Sequence, residues 1–66
     1  MKEDYLDRVR YLLSMGYPVQ VRDIATLTFS SENDVFQAME QLHENGLNVW
    51  TDGKLAEIGC MPGGGY

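Results

Sequence analysis

The stretch "LNVWTDGKLAEI", Leu47 to Ile58, decides the fold. Upstream of it, apolar residues recur at helical spacing. Here the period changes to two, and β-branched and aromatic residues flank the pair Asp52-Gly53. Asp-Gly is a strong signal for a two-residue hairpin turn, because both central positions take positive φ. That turn predicts a register in which Thr51 faces Lys54, Trp50 faces Leu55, Val49 faces Ala56 and Leu47 faces Ile58. Leu47, Val49, Ala56 and Ile58 then share one face, and Asn48, Trp50, Leu55 and Glu57 the other.

Working back from the hairpin, Asn45-Gly46 is a helix stop. Before it, Val35, Ala38, Met39 and Leu42 form an inner stripe, and Asn33, Gln37, Glu40, Gln41 and Glu44 form the outward face. Ser31-Glu32-Asn33-Asp34 resembles a capping box, which starts this third helix and runs it to about Glu44. Glu32 and Asp34 also suit the positive end of the helix dipole. Val21, Ile24, Ala25 and Thr28 predict a second helix over about 21–28, broken by Phe29-Ser30. Pro18-Val19-Gln20 is extended, at most a very short strand. Tyr5, Leu6, Val9, Leu12 and Leu13 predict a first helix from about Lys2 to Ser14, with Asp4–Arg8 and Asp7–Tyr11 at i,i+4. Gly16 lies just past its end. Residues 1–58 are thus one domain, and "GCMPGGGY", Gly59 to Tyr66, reads as a flexible glycine-rich tail.

The bulk properties narrow the function. A chain of 66 residues holds one small domain and has little room for an enzyme active site. Its apolar content of 44% suits a folded globule. Cys60 is the only cysteine and His43 the only histidine, so no disulfide framework and no four-ligand zinc site can be built. No cofactor or metal is expected. The acidic start and the lack of a long apolar run argue against a signal peptide or a membrane span, and a cytoplasmic protein is expected. The formal net charge is −5. Nucleic-acid affinity comes largely from Lys and Arg neutralising phosphates, and anionic membranes attract the same residues.

Two resemblances compete at "LLSMGYPVQVRD", Leu12 to Asp23. Met15-Gly16-Tyr17 resembles the loop by which ubiquitin-associated domains grip ubiquitin. That family has three helices and leaves Leu47 to Ile58 unexplained. The longer resemblance runs through Val21-Arg22-Asp23-Ile24-Ala25, the turn Ser30-Ser31, Val35, Met39, Leu42, Gly46-Leu47 and the hairpin. It is similar to the winged helix-turn-helix superfamily of small bacterial and phage regulators. It implies an α+β fold of three helices followed by a C-terminal two-stranded β-hairpin wing.

The resemblance also implies a nucleic-acid surface. Helix 3 would enter the major groove, with Ser31, Glu32, Asn33, Gln37 and Gln41 near the bases and Lys54 as the wing-tip cation. Asn and Gln can pair bidentately with adenine. The charges oppose this: no Lys or Arg lies between Arg22 and Lys54, while Asp23, Glu32, Asp34, Glu40, Glu44 and Asp52 do. Acids at a helix start are ordinarily capping residues, which explains Glu32 and Asp34 without supplying cations. Trp50 and Leu55, paired away from the core face, form a candidate protein-partner patch. The alternative is that Trp50 folds back to complete a small core. Phe36 reads as core, Tyr11 as a possible dimer seam, and His43 as a helix C-terminal partner rather than a catalytic base. The expected function is a small acidic regulatory module acting through protein contact, as an adaptor or antirepressor, with a protein partner or a homodimer and no small-molecule ligand. The alternative is a sequence-specific DNA-binding regulator. A ubiquitin-associated-like domain is the remote third.

Overall fold

Ala56 has no exposed surface, because it sits in a strand with neighbours on both sides and helices beneath. The computed structural model of the protein describes residues 3–58. The expected glycine-rich tail with Cys60, and the expected start of the first helix at Lys2, lie outside the described residues. Within them the order is α1 (Glu3–Leu13), β1 (Val19–Gln20), α2 (Val21–Leu27), α3 (Glu32–Glu44), β2 (Val49–Thr51) and β3 (Leu55–Ile58). The fold is α+β, and the three-helix alternative has no place for the sheet.

Each helix contributes a stripe to one core. Val9 and Leu13 come from α1, Val21, Ile24 and Ala25 from α2, and Val35, Ala38, Met39 and Leu42 from α3. Tyr5, Leu6, Leu12 and Phe36 are half-buried against them, as the helical spacing predicts. The capping box forms: the Asp34 backbone N–H donates to Ser31 Oγ at 3.1 Å, and the Ser31 N–H donates to Asp34 Oδ2 at 3.3 Å. Gly46, at φ 97°, closes α3, with its N–H on the His43 carbonyl at 3.0 Å and the Leu47 N–H on the Leu42 carbonyl at 3.0 Å. This paired-bond cap places Leu47 under the helix end, half-buried rather than in a strand.

The sheet differs from the expected two-stranded hairpin in two linked ways. Val19–Gln20 joins it as a third strand, giving the antiparallel order β1-β3-β2. β3 is therefore central, with Val19 opposite Ala56 and Gln20 opposite Leu55. The hairpin register also moves: Thr51 lies opposite Ala56, Trp50 opposite Glu57 and Val49 opposite Ile58. Leu55 is thus not the direct partner of Trp50, and residues 52–54 form the loop.

The cause lies in the loop's own acceptors and in α2. Asp52 Oδ1 accepts from the N–H groups of Lys54 and Leu55, both at 2.8 Å. Thr51 Oγ1 donates to the Leu55 carbonyl at 2.8 Å and accepts from the Gly53 N–H at 3.0 Å. The Lys54 carbonyl accepts from the Val21 N–H at 2.8 Å, satisfying the first orphan donor of a helix whose N-cap, Gln20, offers no side-chain bond. A shift of two positions keeps every side chain on its face. Val49, Ala56 and Ile58 therefore still point to the core, and Trp50, Leu55 and Glu57 still share the opposite face.

Candidate functional site

Three surfaces carry residues with chemistry to offer. The first is the outward face of α3. Asn33, Gln37 and Gln41 follow one another at i, i+4 and i+8 and are all exposed, with Glu32, Glu40 and Glu44 exposed around them. Ser31 is exposed, but its hydroxyl is engaged as the N-cap acceptor, and Asp34 is engaged in the same box. Lys54 stands exposed in the hairpin loop. It lines a hollow with Arg22, Glu32 and Asp52, two cations and two acids. The Asp52 carboxyl is held below its usual range, chiefly by the hydrogen bond from the Leu55 N–H and next by that from Lys54. It is ionised at neutral pH and offsets its neighbour Lys54. The structure thus assembles Asn33, Gln37 and Gln41 into one exposed stripe on a helix that carries no Lys or Arg, with Arg22 and Lys54 sharing a hollow with Glu32 at its start.

The second surface is the outer face of the sheet. Trp50 and Leu55 are both half-buried there. Neither belongs to the core cluster or to the apolar side chains packed against it. With Trp50 opposite Glu57, Leu55 is its diagonal neighbour, a spacing still within reach of an indole.

The third surface is an apolar hollow between α1 and the end of α2, lined by Asp7, Arg8, Tyr11, Leu12, Leu27 and Thr28. Tyr11 is 70% exposed and Leu27 62%. Following Thr28 in the chain is Phe29, 94% exposed, with a backbone φ of 55°. The local bonds explain that conformation. The Phe29 N–H donates to the Thr26 carbonyl at 3.2 Å and the Ser30 N–H to the Ala25 carbonyl at 2.8 Å. This is the same paired-bond cap that ends α3, but phenylalanine occupies the left-handed position where α3 has Gly46. A side chain there costs about 1–2 kcal/mol.

Three hydroxyls fix this turn against α1. Thr28 Oγ1 donates to the Ile24 carbonyl at 2.7 Å, which uses its one proton. Ser30 Oγ, 2.7 Å from Thr28 Oγ1, must then be the donor to it, and Tyr5 OH, 2.7 Å from Ser30 Oγ, the donor to Ser30. The chain of protons runs one way, from α1 through the turn into α2.

Sequence reasoning reached Tyr11 but missed Leu27 and Phe29. Phe29 was legible only as a helix break. The available signal was a large apolar residue at a position where a helix cap favours glycine.

Among the described residues, no group of His, Cys, Asp or Glu is placed to hold a metal ion, and no helix is long and apolar enough to cross a membrane. Comparison with protein-family models finds no matching family, and comparison with curated proteins and with solved structures finds no significant match.

Proposed function

We propose that this protein is a small acidic winged-helix module that regulates by protein contact, with the outward face of α3 turned toward a basic surface of its partner. The order helix, short strand, helix, helix, hairpin supports the winged-helix reading. The observation that carries the functional reading is the α3 face itself, where Glu32, Glu40 and Glu44 are exposed and no Lys or Arg occurs on the helix. A duplex carries one negative charge per ~1.7 Å of axis, so a groove-reading helix without cations meets repulsion along its length. A basic protein surface meets attraction, which speeds encounter and selects the partner.

Two measurements test this together. Fluorescence anisotropy with random duplex DNA at about 50 mM salt should show little binding, because few phosphate contacts are available. Proteins captured from a cell extract by the wild type should be lost with a Glu40→Gln/Glu44→Gln double variant, and their capture should fall with added salt. Tight, steeply salt-dependent binding to the random duplex would overturn the reading.

A second reading, a sequence-specific DNA-binding regulator working within a larger complex, is favoured by one observation. Asn33, Gln37 and Gln41 form an exposed amide stripe with Lys54 at the hairpin loop. A partner subunit would have to supply the phosphate contacts. Selection from a randomised duplex library, with and without the captured partner, separates the two readings.

A further inference from the structure

We infer that Phe29 is the apolar anchor of the α3 interface, so that the partner is a basic protein segment carrying one large apolar side chain for Phe29 to meet. This rests on the reading of α3 as a face for protein contact and deepens it. Phe29 is 94% exposed, yet its backbone sits at φ 55°, a conformation that disfavours any residue with a Cβ. The α3 cap meets the same geometry with Gly46. Phe29 gains nothing from the core in return, being neither in the buried cluster nor among the apolar side chains packed against it. Strain that no internal contact offsets marks a side chain kept for contact with something else.

The turn also holds Phe29 in fixed relation to α3. The Phe29 and Ser30 N–H groups cap α2, and the hydroxyls of Tyr5, Ser30 and Thr28 tie the turn to α1. Ser31 then opens the α3 capping box with Asp34. Residues 28–34 are thus one hydrogen-bonded unit. Phe29 stands three positions before Glu32, so its Cα lies within about 11 Å of the first acid of α3. A backbone fixed before contact loses little freedom on contact.

Charge complementarity names the partner. Glu32, Glu40 and Glu44 are exposed on α3, and the helix carries no Lys or Arg. Glu32 shares its hollow with Arg22 and Lys54, which offset it. The uncompensated acids are therefore Glu40 and Glu44, about 12 and 18 Å further along the axis. The apolar contact falls at the start of α3 and the charged contact toward its end. A segment that satisfies both ends carries Lys or Arg for the glutamates and Leu, Met, Phe or Trp for Phe29.

Peptide display against the immobilised full chain supplies the probe. Sequences enriched by the wild type should combine Lys or Arg with a large apolar residue. Phe29→Gly should keep the basic preference and lose the apolar one, and Glu40→Gln/Glu44→Gln should do the reverse. The most enriched peptide, made synthetically and titrated by fluorescence anisotropy, gives a second readout. Phe29→Gly should weaken its binding on the order of tenfold or more without changing the salt slope. The glutamate variant should flatten that slope, because salt screens charges. Glycine suits the cap backbone and asparagine tolerates it, so Phe29→Gly and Phe29→Asn should both stay folded by circular dichroism and lose affinity alike. Basic peptides that Phe29→Gly binds as tightly as the wild type would overturn the anchor and leave the reading of α3 standing. Enrichment without a basic preference, or no enrichment, would overturn both.

Discussion

Phe29 and Gly46 perform the same backbone task, and the contrast makes a stability experiment. Phe29→Gly relieves the left-handed strain but adds freedom to the unfolded chain, so a net gain of about 0.5–1 kcal/mol is expected. In a domain of this size that is a rise of roughly 2–8 °C in melting temperature, read by circular dichroism. Tyr5 gives the opposite sign. Its phenol starts the hydroxyl chain to Ser30 and Thr28, so Tyr5→Phe should cost about 0.5–1.5 kcal/mol in a urea melt. Phe29 also shows where sequence reading stopped. A single residue outside any period carries no pattern, and its meaning came only with its φ and exposure.

At the scale of elements, the helices were legible and the strand pairing was only partly so. Val35, Ala38, Met39 and Leu42 announce α3 through their spacing, and Ser31 with Asp34 announces its start. Both are local signals, and local bonds realise them. The register of β2 on β3 depends instead on Val19–Gln20 and on the Val21 N–H, which lie far away along the chain. Asp52 holds the loop, and its lowered pKa makes this measurable. A carboxyl whose folded pKa lies below its unfolded value stabilises the fold above the unfolded pKa. That stability is lost as pH falls through the folded one. The Asp52 contribution is therefore present at neutral pH and disappears below its ordinary value of 3.8. Asp52→Asn should flatten the acid limb of stability against pH, measured by thermal melts across that range.

For the molecule as a whole, the net charge and its concentration on α3 were readable in the sequence, but the exposed apolar residues were not. Acids concentrate on α3, while Tyr11, Tyr17, Leu27 and Phe29 are the large apolar side chains left exposed among the described residues, and only the fold brings Tyr11 and Leu27 to one hollow. Trp50 lies between these regions in character. It is half-buried yet outside the core cluster, so Trp50→Ala should cost about 1–2 kcal/mol, less than the ~3–5 kcal/mol of a core aromatic. Chemical denaturation followed by circular dichroism checks this. A loss at the core value would make the indole a structural residue and remove the sheet face as a docking surface.

The pairing of β1 with β3 bears on how quickly the chain finds its shape. The hairpin is local and can close within about 1–10 μs. Its Asp-Gly turn permits the tight pairing as readily as the native one, and a slip of two positions buries the same side chains. Hydrophobic collapse alone does not distinguish the two arrangements. Val19 and Gln20, lying beside Ala56 and Leu55, join the loop bonds of Asp52 and Thr51 in selecting the native one. Such long-range closure carries an entropic delay. The edge strand of two residues thus acts as a late checkpoint on the folding route, and its influence on rate exceeds what its length suggests.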